Sequence, residues 1–432
     1  NARISLVGSV DVDSVLEKID SFLSPYERRK ADFEIPMQRP IDRVVRELPY
    51  EIGEGEPTEN RALISCASTL GSFDTPVRNY AATVLSDYLS GDNDAPLKRA
   101  VIDKGLAQDF AVFMEDGLQQ TTFGWQAMNT DAEKLDALEA TIRETLEALV
   151  RDGLDKERLE ACFHSFAFRM RDHDGSGMPR SLTEALSMLD TWLYGGDPAN
   201  GLLVEESLHA LEAKLNTDFF EQLIKELFLD NAHTATIVLT PSDTLGKVKA
   251  AREKARLESE RSAWTEADRA RLASEAQALE QFQQTPDSEE ALASIPMLKL
   301  SDLNDKPEPL SATLTVKDGV TLLRHSVGSD LVYFKAFFAA NELTAEELPK
   351  FSLLCTLLGS MATKRHSRAA LQTAIKNTIG SLDFSPSIFA GSDPEHCRVA
   401  LCASVAALAD QAEHAAALLS EMLTETVFDD LA

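Results

Sequence analysis

Eight histidines, His164, His173, His209, His233, His325, His366, His396 and His414, are the side chains of this 432-residue sequence best suited to hold a metal or move a proton. Zinc hydrolysis needs ligands on one helix face, commonly two histidines three or four residues apart with a carboxylate base beside them. No two of these histidines have that spacing, so neither H-E-x-x-H nor H-x-x-E-H occurs. His164 and His173 flank the helix end RMRDHDG, where the partial negative charge of a helix C-terminus favours a positive imidazole without any ligand role. The glycine stretch Asp174 to Pro179 (DGSGMP) lacks the Gly-Lys-Ser/Thr ending of a phosphate loop. It reads as a turn feeding a helix from Ser181, with Ser181 and Glu184 forming an S-x-x-E capping box. No G-x-S-x-G elbow is present. The sequence therefore nominates no catalytic, cofactor-binding or metal-binding residue.

Five scattered cysteines, Cys66, Cys162, Cys355, Cys397 and Cys402, do not make a disulfide framework and suit a reducing, cytoplasmic compartment. Cys397 and Cys402 read as small buried hydrophobes. The formal net charge is −29, from 42 basic and 71 acidic side chains, which disfavours nucleic acid and anionic membrane as partners. No apolar run approaches the roughly 20 residues that span a bilayer. The longest, Val399 to Ala409, is interrupted by Cys402 and Ser404. The acidity has two open readings: solubility alone, or an interior that attracts basic peptides.

The elements form an internal repeat. The alternating segment Asn60 to Gly71 (NRALISCASTLG) is matched by Asp330 to Asn341 (DLVYFKAFFAAN). A helix follows each, Asn79 to Gly91 and Leu348 to Ser360. APLKRAVIDKGLAQDF, ending at Phe110, and RAALQTAIKNTIGSLDF, ending at Phe384, each read as a short amphipathic helix running through glycine into an extended segment. A strand and long helix close the comparison, Trp125 to Val150 against Arg398 to Leu423.

The first copy continues to a closing unit at Asn231, NAHTATIVLTPSDTLGKVKA. The opening NARISLVGSVDVDSVLEKIDSFL has the same design: Asn-Ala, an alternating strand, a capping turn and a helix. Asp13 or Ser14 can cap that helix, and Val15, Leu16, Ile19, Phe22 and Leu23 make one apolar stripe. The sequence thus reads as an internal piece of a longer protein. Residues 1–30 are expected to end a truncated first domain and 31–49 to be a proline-bearing linker. Residues 50–245 form a second α+β domain, 246–300 a charged helical hairpin, and 308–432 the start of a third. Lys247 to Glu290 carries eight basic and ten acidic side chains and breaks into two helices near Ser262 to Thr265. Thr265 can cap the second helix, and Trp264 can pack at the corner. A hinge or clamp and a solvated spacer both fit this hairpin.

This order of elements resembles the pitrilysin/insulinase-type (M16) zinc metallopeptidases, specifically the presequence-protease branch that includes falcilysin. The resemblance rests on Ala95 to Phe110, on MPRSLTEALSMLDTWLYGGDP (Met178 to Pro198), on the opening NARISLVGSVDVDSVLEKI and on the charged hairpin. It implies an α+β fold of repeated domains, mostly antiparallel sheet packed by helices, in two halves joined by a helical hairpin around a peptide chamber. It also implies zinc in the parent protein, held by an H-x-x-E-H helix upstream of Asn1, and an assisting arginine and tyrosine beyond Ala432. None of those residues maps onto this sequence. The implied substrates are short unfolded peptides, basic ones included, and the implied structural partners are the first and fourth domains of the same chain. A parent that is a non-catalytic peptide-binding or assembly subunit stays open as the alternative, as does an unrelated acidic helical scaffold.

Overall fold

The structure, a computed structural model, describes residues 3–27, 35–172, 177–295, 297–303, 306, 311–326, 331–391, 393 and 396–429. His173, Asp174 to Ser176, Asn1, Asp330 and Ala432 lie outside the described residues. Residues 1–50, 55–242 and 330–432 pack as one compact unit, and residues 51–54 with 243–329 as a second.

In the first unit the chain runs through α1 (Val12–Leu23), β1 (Val44–Glu51), β2 (Ala62–Thr69), α2 (Pro76–Ser90), α3 (Pro96–Asp103), β3 (Asp109–Glu115), β4 (Thr122–Thr130), α4 (Leu135–Asp152), α5 (Lys156–Arg171), α6 (Arg180–Trp192), α7 (Val204–Glu212), α8 (Phe219–Ile224) and β5 (Thr234–Ser242). The strands form one sheet in the order β1-β5-β2-β4-β3, with β5–β2, β2–β4 and β4–β3 antiparallel. Alternation along each strand sends Ile64, Phe110, Val112, Phe123, Trp125 and Val238 into one core. There they meet Leu85, Tyr88 and Leu89 of α2, Leu138 and Leu146 of α4 and Phe163 and Phe166 of α5. Gly124 is needed where two strands and a ring converge. A Cβ there would stand 2.2 Å from the Cys66 carbonyl oxygen and 2.8 Å from Phe113 Cζ. Gly124→Ala is expected to cost about 2 kcal/mol through overpacking, read as a lower denaturant midpoint at unchanged slope.

The second unit contains α9 (Leu245–Ala263), α10 (Glu266–Gln284), α11 (Glu289–Ser294) and a two-stranded antiparallel ribbon, β6 (Ala312–Lys317) with β7 (Val320–His325). The break between α9 and α10 falls at Trp264 and Thr265, and Thr265 forms a capping box with Asp268. Neither helix buries a residue, as expected of helices whose faces carry charge all round. Trp264 keeps 39% of its surface in water, so it does not fill the corner as the sequence suggested.

The chain then returns to the first unit as β8 (Leu331–Ala339), α12 (Leu348–Leu357), α13 (Arg368–Thr378), β9 (Ser381–Ala390), β10 (Cys397–Leu408) and α14 (Ala412–Glu425). The sheet order β8-β10-β9 reproduces β2-β4-β3, and α12, α13 and α14 follow as α2, α3 and α4 do. The repeat read from the sequence is therefore a repeat of topology, an α+β module with an antiparallel sheet and a helical layer. Phe384, Val405, Leu371, Leu419 and Met422 build the second core.

Several local expectations change. The opening strand does not form: residues 3–10 carry no strand, because alternation supplies two faces but only a ladder partner holds a strand. Asp11, rather than Asp13 or Ser14, caps α1, and the α1 stripe is not buried. The expected linker is extended over its last residues, since Val44–Glu51 forms β1 at the sheet edge, where Pro49 removes no interior hydrogen bond. The capping box at Ser181 is absent. Pro179 stands at the N-cap of α6, and Glu184 instead accepts from Arg180 Nε at 2.7 Å, one turn away.

Candidate functional site

The most concentrated polar chemistry lies where the two copies of the module meet, on α5 and the α2–α3 turn of one and on α13 of the other. Asp155 caps α5 by accepting from the Arg158 amide at 3.2 Å, and Ser367 caps α13 by accepting from Ala370. These caps fix the start of each helix and so the direction of the side chains that follow.

From α13, Lys376 Nζ donates to Asp87 at 3.0 Å and to Asp92 at 3.3 Å. Arg158 Nη2 donates to Asp92 at 2.8 Å, and Arg368 makes a two-pronged contact with Asp94 at 3.1 and 3.2 Å. Lys376, Asp87, Asp92, Arg158 and Asp94 each keep less than a fifth of the side chain in water. Three cations meet three carboxylates, so the cluster is neutral, and each charge has a hydrogen-bonded partner. Beside it Phe168 of α5 packs with Leu331, Ala406 and Leu408. Gly380 lies against the face of Phe168, since a Cβ there would come within 2.1 Å of the ring. Tyr333 Oη donates to Asp172 at 2.7 Å, and His164 Nδ1 lies 3.1 Å from Asn377 Oδ1. A cavity of about 250 Å³ opens between the copies next to this seam, lined by His164, Phe168, Lys376 and Gly380 among others.

Electrostatics make the seam a fastening and not a reactive centre. Burial pushes the Cys162 thiol up to about 12, with the Asp87 charge adding to it. Burial alone would lower Lys376, but Cys162, Asp87 and Asp92 more than offset that and raise it, so the amine stays protonated. A thiol and an ammonium held in those states supply neither nucleophile nor base. Burial alone would raise Asp92, yet Arg158 and Lys376 hold it below the ordinary carboxylate value. Because the folded value is the lower one, its contribution is present above the unfolded carboxylate pKa of about 4 and is lost as pH falls through the folded value. Stability is expected to be insensitive to this group from neutral pH down to about 4 and to fall below it. Thermal unfolding against pH checks this, since Asp92→Asn should remove that part of the acid limb.

The sequence-nominated histidines are dispersed. Ile41 N–H donates to His233 Nδ1 at 2.8 Å, and His233 Nε2 lies 3.1 Å from Thr69 Oγ1. His366 Nδ1 lies 2.7 Å from the buried carboxylate of Glu421, and His396 Nδ1 lies 2.6 Å from Asp393. His325 is bonded at Ser311, while His209 is on α7 and His414 on α14. Among the described residues no group of three His, Cys, Asp or Glu side chains is arranged to hold a metal. The donor set of this chain thus does not fit a zinc ion. All five cysteines are unpaired, and Cys402 is buried as expected, but Cys397 is exposed at the start of β10. A second cavity, of about 410 Å³, lies between α4 and the first sheet beside Trp125, with Arg43 and Glu139 paired at 2.7 Å on its lining.

The sequence reading missed the seam residues, because partners such as Asp87 and Lys376 are 289 positions apart. The only local signs were three aspartates around SGDNDAP and two cations, Arg368 and Lys376, on the matching helix of the second copy.

Two family models match the chain. Residues 1–165 match "Peptidase M16 inactive domain", and residues 239–432 match "Peptidase M16-C associated". Protein HypA of Clostridium perfringens is 29% identical over 435 residues, covering 100% of this chain and 45% of that protein. Presequence protease 1, chloroplastic/mitochondrial, of Arabidopsis thaliana is 27% identical over 442 residues, covering 100% of this chain and 41% of that protein. The chain therefore spans less than half the length of these curated relatives. The periplasmic protease PqqL from Escherichia coli superposes over 98% of this chain and 45% of its own at a TM-score of 0.38 and 12% identity, too distant to carry residue correspondences. Repeat topology, the α9–α10 hairpin and these matches lead to one assignment: the chain belongs to the M16 peptidase family, in its presequence-protease branch.

Proposed function

We propose that this chain is the non-catalytic wall and hinge of a zinc-dependent endopeptidase that degrades short unfolded peptides. The observation that carries the reading is its end-to-end alignment with presequence protease 1, of which it spans 41%, together with a fold made of repeated modules and a helical hairpin. In this reading residues 1–30 close a preceding domain, 31–49 link it to the next, and 50–245 and 308–432 belong to the second and third. Residues 246–300 are the hinge between halves. The zinc ligands belong to another part of the protein, as the dispersed histidines here suggest. The net charge of −29 favours basic peptides, and five free cysteines favour a cytoplasmic setting.

The test uses the protein that carries this stretch together with its flanking domains. Turnover of a short unstructured peptide is expected to be abolished by a zinc chelator and slowed by a crosslink restraining α9 against α10. The 432-residue chain alone is expected to cleave no peptide and to bind no stoichiometric zinc by metal analysis. Tight zinc binding by this chain would overturn the reading. Peptide capture without turnover by the longer protein would favour a binding subunit instead.

A further inference from the structure

Two parts of this chain each lack what the other offers. In the first copy of the module, β5 lies antiparallel on the edge of β2, with Leu63 opposite Leu239 and Cys66 opposite Thr236. Phe228, just ahead of β5, covers Phe123 edge-on at 5.2 Å. In the second copy the corresponding edge belongs to β8. Its residues Lys335 to Ala339 pair with Ser404 to Ala400 of β10, and among the described residues no strand is paired on their other side. Apolar side chains there remain in water: Phe338 is 46% exposed, and Leu353 on the adjoining α12 is 58% exposed. An edge of this kind is a template for another strand.

The complementary piece is at residues 3–23. It repeats the design of β5 and the turn and helix after it, but its extended part is in no sheet. Ile4, Leu6 and Val10, which alternate along it, are 46%, 48% and 44% exposed. Leu16 and Phe22 on α1 are 54% and 70% exposed, and no residue of α1 is buried. One exposed contact holds the segment to its own chain, Arg3 over the Trp192 ring at 4.9 Å. The 20 residues from Ser24 to Arg43 can reach about 65 Å when extended.

We propose that residues 3–23 of one copy add as a strand and helix to the β8 edge of a second copy of this chain. The incoming strand lies antiparallel to β8, as β5 does on β2, and places its apolar residues over Phe338. The contact is head-to-tail: each added copy leaves one strand and one edge open, so association continues past the dimer unless a ring closes. This inference is independent of the peptidase reading, and neither falls with the other.

Sedimentation velocity over about two decades of micromolar concentration is the first test, with species larger than a dimer expected at the upper end. Deleting residues 1–23 removes the donor and no buried side chain, and Phe338→Asp charges the acceptor at a half-exposed position. Each change alone should leave the circular dichroism spectrum unchanged and the protein monomeric. Mixing the two variants should restore one complex, a heterodimer that grows no further, because only one donor and one acceptor remain. A wild-type chain that stays monomeric, association that survives either change, or no heterodimer on mixing would each overturn the proposal.

Discussion

Replacing Lys376 with methionine is expected to lower the unfolding free energy by about 3 kcal/mol, the low end for breaking a buried ion pair. The loss comes less from the bonds removed than from what stays behind. Asp87 and Asp92, 19% and 17% exposed at the side chain, would face each other without the ammonium between them. Methionine fills most of the volume, so cavity formation does not confuse the reading. The electrostatic origin is checked by a double-mutant cycle. Asp87→Asn in the Lys376→Met background should recover part of the loss, whereas the same change in the wild-type chain should be destabilising. Equal effects of Asp87→Asn in both backgrounds would refute the coupling. Denaturant midpoints at constant slope provide the measurement.

Phe168→Ala should be at least as costly, about 3 to 4 kcal/mol, for a different reason. Phe168 projects from α5 of the first copy but is buried against Leu331 and Ala406 of the second, so its removal leaves a void between modules. Gly380 cannot advance to fill it without carrying its strand, because its amide donates to the Ala406 carbonyl at 2.8 Å. The effect should therefore be local before it is global. Hydrogen exchange should quicken first in β8 and α13, which the seam holds, while α2 and β4 in the first core keep their protection. Uniform quickening across both copies would show that the ring supports the whole unit instead of the seam. Together the two substitutions ask whether the copies are fastened by charge, by apolar contact or by both. The geometry puts both in one place, within the turn of α5 that carries Phe168 and the residues facing α13.

Much of this was legible without coordinates. Alternation in ALISCAST and LVYFKAFFA, helix periodicity after each, and the shared order of four elements were enough for two copies of one α+β module, because each signal is local and each copy independently supports the other. The break between α9 and α10 was legible for the same reason: Thr265 and Asp268 satisfy each other's amides within four residues. The expected absence of a zinc motif also rested on spacing alone. Errors arose where local signals needed distant support. An alternating stretch at residues 3–10 has strand character but no ladder, and the proline-bearing stretch before Pro49 acquires a ladder from β5.

Chain order, periodicity and composition by themselves thus determined the module, its repetition, the charged hairpin and the acidic surface. The tertiary structure alone decided that α5 of the first copy meets α13 of the second, that Lys376 holds Asp87 and Asp92 together, and that Gly380 is small to admit the Phe168 ring. The physical reason is range. Backbone propensity and amphipathic period act over a few residues, whereas an ion pair between positions 87 and 376 exists only once both modules have folded and docked.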